Sequence, residues 1–139
     1  IQNSLNFMNY NATNRKVFIY MGILFGIIGL ILLLFYRPYV YKNNINDFHF
    51  ADTLGSLFCV PTTVFLSYGI YKKFNFLKLL IVNVLFWIIY EIPTSITQGV
   101  IDKNDYVALF IGGLLSLLLF YVLNYFKNRN SKHFYGKKI

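Results

Sequence analysis

The sequence predicts an all-α protein, an integral membrane four-helix bundle with both termini cytoplasmic. Three observations predict it: a shortage of charge, the confinement of that charge between four long apolar runs, and an uneven spread of Lys and Arg. Of 139 residues, 57% are hydrophobic and 13% are charged, where an ordinary soluble domain carries about 25% charged residues. Val17–Tyr36 (20 residues), Thr53–Tyr71 (19) and Tyr106–Phe126 (21) hold no charge, and Leu79–Ile101 (23) holds only Glu91. A helix crosses roughly 30 Å of hydrocarbon with about 20 apolar residues, so each run is long enough to span. This pattern excludes a soluble domain and a disordered chain. Cys59 is the sole cysteine, which excludes a disulfide scaffold. Residues 1–16 are expected to form an N-terminal arm, 17–126 a single transmembrane domain, and 127–139 a basic tail.

Orientation follows from the basic residues. The arm (Arg15, Lys16), the second connection (Lys72, Lys73, Lys78) and the tail (Lys127, Arg129, Lys132, Lys137, Lys138) hold ten of the 13. The other two connections hold Arg37, Lys42 and Lys103. Short loops rich in Lys and Arg stay in the cytoplasm, so the expected topology is N-in/C-in in the plasma (inner) membrane. Asp47, Asp52, Asp102 and Asp105 then lie at the outer side. Glu91 lies about 18 Å from the inner end of its span at ~1.5 Å per residue, in the outer half. The tail is expected to contact anionic lipid headgroups, at about 1 kcal/mol per basic residue. A net charge of +8 distributed in this way points to membrane lipids as partners, and no nucleic-acid partner is expected.

Each span has its own character. In the first, Gly22, Gly26 and Gly29 form a small-residue stripe of the kind that lets helix backbones approach closely in lipid. Packing within the bundle is expected of it, with homodimerisation as the alternative. In the second, Asp52, Ser56, Cys59, Thr63 and Ser67 share one helical face, which suits an interior helix, and Pro61 predicts a local kink. The third carries Asn83, Trp87, Glu91 and Ser95 at intervals of four, then Gln98, with Pro93 expected to break or bend the helix. The fourth opens with Asp105, suited to the positive end of the helix dipole. It continues through Gly112 and Gly113, a patch where another helix can press close. Asn124 lies near its inner end, where it can reach headgroups.

One bundle of these helices gathers Asp47, His49, Asp52, Glu91, Gln98, Asp102 and Asp105 at the outer end, with Arg37, Lys42 and Lys103 at the same depth. A lone carboxylate costs about 3 kcal/mol or more near the membrane centre, so Glu91 should face protein or water beside a partner. Arg37, Lys42, Lys103 and His49 are the candidates. Glu91 then either forms a structural ion pair or stays protonated, or it serves as a contact for a ligand, proton or metal. The sequence has no paired-His motif, phosphate-binding glycine loop or dinucleotide fingerprint, and no Ser near His49 in a nucleophile-elbow context. No metal and no cofactor are expected.

Glu91, Gln98, Asp105 and Gly112 form the pattern Glu-x6-Gln-x6-Asp-x6-Gly, and Asp47-Phe48-His49-Phe50 precedes the second span. Over roughly residues 47–120 the chain resembles the VanZ-like family of small bacterial membrane proteins. In these, a helix bearing Glu and Gln leads into one that opens with Asp and continues to Asn and Gly. Leu109 stands where the family pattern has Asn, and Lys103 is the one basic residue between the Gln and the Asp. The resemblance implies a bacterial plasma-membrane protein acting near the envelope, and it brings no catalytic residue. The expected function is a non-catalytic binding or accessory module. Its acidic cluster would contact a lipid or amphiphile, a larger membrane-protein complex, or a second copy in a homo-oligomer. Two alternatives stand beside it. One is a membrane-embedded enzyme acting on a lipid-linked or cell-envelope substrate, with Glu91 as acid/base and Asp105 or His49 assisting. The other is a small oligomeric transporter.

Overall fold

The four apolar runs fold as helices, and each helix starts two or three residues before its run. Lys and Arg are good helix formers, so a charge marks the edge of an apolar stretch without ending the helix. The computed structural model describes residues 15–71, 73–98 and 103–135, apart from the side chains of 94–98 and 126–135. The elements are α1 (Arg15–Ile31), a π turn (Leu32–Tyr36), α2 (Arg37–Lys42), α3 (Phe50–Ile70), α4 (Phe76–Gln98) and α5 (Lys103–Tyr135). Four segments, Arg15–Lys42, Phe50–Ile70, Phe76–Pro93 and Lys103–Tyr125, are each long and apolar enough to cross a membrane.

The first segment continues past the apolar run, so Arg37 lies on α2 and not in a loop. Pro38 has no N–H to return to the preceding turn. Just before it the helix widens: the Arg37 N–H bonds the carbonyl of Leu32, five residues back. Pro61 and Pro93 lie inside helices assigned without a break, so the break expected at Pro93 is not seen.

Helix α3 is the hub. It packs against α1, α4 and α5, and 50% of its span is buried, against 17% for the first and third spans and 28% for the fourth. The stripe of Gly22, Gly26 and Gly29 is used within the bundle, against Leu66, Thr62 and Phe58 of α3. A Cβ at Gly22 would lie 2.7 Å from Leu66 Cγ, and one at Gly29 would lie 2.9 Å from Phe58 Cβ. Gly112 does the same for α5. A Cβ there would stand 2.5 Å from the carbonyl oxygen of Leu57, the group that Pro61 leaves without its intrahelical donor. Gly113 faces α4 more loosely, with Val84 Cγ2 at 3.3 Å.

At the Arg15 end, rings from all four spans meet. Phe76 of α4 stacks on Phe120 of α5 with centroids 4.0 Å apart. Tyr68 of α3 stands edge-on to Phe18 (5.0 Å), Phe76 (5.4 Å) and Phe120 (5.5 Å). Arg15 closes this end. It is 7% exposed, and its NH1 donates to the carbonyls of Tyr68 (3.2 Å) and Tyr71 (2.6 Å). A cation there meets the last, negatively polarised carbonyls of α3. Asn124, placed by the sequence where it can reach headgroups, is instead 4% exposed, and neither its amide nitrogen nor its amide oxygen has a hydrogen-bond partner among the described residues.

Candidate functional site

The polar stripes of α3 and α4 face one another. Trp87 Nε1 donates to Thr63 Oγ1 at 3.1 Å, while the Thr63 hydroxyl bonds the Cys59 carbonyl at 2.8 Å. Toward the opposite end from Arg15, Ser56 Oγ lies 3.3 Å from Glu91 Oε1 and 2.9 Å from Asp105 Oδ1. One hydroxyl on α3 thus joins a carboxyl from α4 and a carboxyl from α5. A hydroxyl has a single hydrogen, so it donates to one carboxylate at a time. It can accept from the second only when that carboxyl carries a proton. Ser56 is 7% exposed, which keeps water from replacing it.

A second network sits nearer the surface, between α2 and the start of α3. Asp52, in the first turn of α3, accepts a hydrogen bond from the Tyr41 hydroxyl. His49 Nδ1 is 3.2 Å from its second oxygen and Arg37 NH2 is 3.7 Å from its first. Arg37 Nε also donates to the Tyr41 hydroxyl at 3.0 Å. The connection from Lys42 to Phe50 turns through left-handed backbone at Asn44, Phe48 and His49. Within it, Asp47 Oδ2 accepts from the Ala51 N–H (2.8 Å) and from the Tyr36 hydroxyl (3.3 Å). Asp47 therefore satisfies a free donor at the start of α3 and ties that start to the first span.

The single constellation expected from sequence resolves into these two networks. Arg37 and His49, proposed as partners of Glu91, are engaged with Asp52, and the described hydrogen bond of Glu91 is to a neutral hydroxyl. Ser56, Tyr41 and Tyr36 are the residues that sequence reasoning left off the site. Ser56 carried a signal, its place on the polar face of α3, but no spacing pattern singled out the two tyrosines. The side chain of Gln98 lies outside the described residues, as does Asp102. Lys127, Arg129 and Lys132 lie on the helical backbone of α5 with side chains outside the description, and Lys137 and Lys138 lie outside the described residues altogether. Among the described residues, no group of three or more His, Cys, Asp or Glu side chains could hold a metal ion.

Two grooves flank α5. One, of about 420 Å³, runs between α3 and α5. Asp47, Thr53 and Asn104 supply its polar lining, Leu57, Val107, Ala108 and Ile111 its apolar lining, and Phe48 and Phe50 stand beside them. Its volume falls in the ~300–1,000 Å³ range of small-molecule sites. The other, of about 290 Å³, lies between α4 and α5 and is lined only by apolar residues and Gly113, among them Leu80, Val84, Ile88, Phe110, Leu114 and Leu117. Comparison of the chain with protein-family models, curated proteins and solved structures returns no match.

Proposed function

We propose that this chain is a small polytopic plasma-membrane protein of VanZ-like type, with N-in/C-in topology, that acts as a non-catalytic module holding an amphiphile on its extracytoplasmic side. The observation that carries this reading is the groove between α3 and α5, which is polar at the end of Asp47 and Asn104 and apolar along Leu57, Val107 and Ile111. That gradient matches a molecule with a headgroup and a chain. Asp47 uses Oδ2 for Ala51 and Tyr36, and among the described residues its Oδ1 has no partner and can accept from a headgroup. Protein extracted in mild detergent should retain lipid in native mass spectrometry, and Val107→Trp should lower that retention several-fold. Val107 is 56% exposed, so the larger side chain fills the groove without entering the core. Equal retention by the variant and the unaltered chain would sink the reading. The topology has its own test: a label at Asn43→Cys should react from outside intact cells, and one at Asn130→Cys should not.

A membrane-embedded enzyme is the second reading, favoured by the Glu91–Ser56–Asp105 convergence. It would bring two groups capable of acid/base work to one hydroxyl, on a lipid-linked or cell-envelope substrate. Glu91→Gln separates the two. The amphiphile-holding reading expects unchanged lipid retention, and the enzyme reading expects loss of cellular phenotype with folding intact.

A further inference from the structure

We infer that the amphiphile has two chains and straddles α5, with one chain in each groove. The inference rests on the amphiphile-holding reading and gives it a substrate class. Successive residues of a helix advance by about 100°. Asn104, Val107, Ala108 and Ile111, which line the α3–α5 groove, and Phe110, Gly113, Leu114 and Leu117, which line the α4–α5 groove, therefore point in mean directions about 120° apart. Between them runs a ridge of Val107 (56% exposed), Phe110 (58%), Ile111 (51%), Leu114 (66%) and Leu118 (59%) that no other helix covers. On a cylinder about 10 Å across, groove centres so placed are about 9 Å apart. Two chains joined at one headgroup can span a ridge of that width.

The grooves also differ as the two chains of one molecule would require. The α3–α5 groove reaches Asn104 and Asp47 and so lies directly beneath a headgroup. The α4–α5 groove has no charged or hydrogen-bonding side chain and begins at Phe110, six residues or about 9 Å further along α5. It offers a headgroup nothing, and it suits the lower part of a chain whose head is held elsewhere. At the head, Oδ1 of Asp47 has no partner among the described residues, and its negative charge favours a cationic donor over a neutral hydroxyl, so an amine-bearing two-chain lipid is the fitting class.

The test uses the full chain in detergent, with dioleoyl phosphatidylethanolamine and its mono-oleoyl lyso form as probes, read by native mass spectrometry. The diacyl lipid should bind about tenfold more tightly than the lyso form, the return on one further chain's dispersion contacts. Leu114→Trp, at an exposed position, should erase that difference and leave the lyso form unaffected. Val107→Trp should weaken both. Equal binding of the two probes, with Leu114→Trp silent and Val107→Trp still damaging, would overturn the two-chain assignment and leave the amphiphile reading standing. Failure of both probes to bind would overturn both. A protein dimer that Leu114→Trp dissolves would assign the α4–α5 groove to a second copy, and overturn the inference.

Discussion

The two ends of the bundle are held by opposite chemistry. At the Arg15 end the contacts are rings: Phe18, Phe65, Tyr68, Phe76 and Phe120 come from all four spans and are each at most 1% exposed. At the acidic end the contacts are hydrogen bonds to carboxylates, and the helices part enough to leave the α3–α5 groove beside Asp47 and Asn104. Aromatic edge-to-face and stacked pairs are each worth about 0.5–1.5 kcal/mol beyond simple burial, and they need no water. Polar bonds between membrane helices average roughly 0.6 kcal/mol, but they fix direction. The division therefore puts cohesion at one end and leaves the other free to shape a site.

Three substitutions would break or sharpen that contrast. Phe120→Ala removes the ring that stacks on Phe76 and receives the edge of Tyr68. It should cost about 3 kcal/mol of stability, seen as a large fall in Tm followed through the single tryptophan, Trp87. Ser56→Ala removes the hydroxyl between Glu91 and Asp105. A loss of about 1 kcal/mol is expected, seen as a small fall in Tm with amphiphile retention unchanged, since Ser56 does not line the α3–α5 groove. A drop as large as that of Phe120→Ala would show that the acidic end also carries cohesion. Asp52→Asn weakens the network of Tyr41, His49 and Arg37, which is partly open to solvent. Its effect should stay below about 1 kcal/mol and shrink further in high salt.

Much of this arrangement was legible in the residues. The Gly22, Gly26 and Gly29 stripe, the interior role of α3 and the polar faces of α3 and α4 all follow from spacing, because spacing fixes which side chains share a face. Spacing does not fix which neighbour a face meets or at what height. Hence Ser56 was not foreseen between Glu91 and Asp105, and Asn124 was placed within reach of headgroups when it lies inside. The register that joins position 56 to both 91 and 105 comes from close approaches such as Gly112 on Leu57, a property of pairs of helices. The break that Pro93 allowed for does not occur, since the helix runs on past it to Gln98.

The wide turn at Leu32–Tyr36 acts as a phase shifter. An α-helix returns each N–H four residues back, whereas Arg37 reaches five back to Leu32, so everything beyond it is set round the axis by roughly one residue's rotation, about 100°. Deleting a single leucine from this turn would restore the ordinary pitch and leave Arg37 and Tyr41 on Asp52, because the wide turn absorbs one surplus residue. The same residues wound as an unbroken α-helix would carry both about 100° off their aim, in a greasy stretch where any one leucine looks interchangeable with the next.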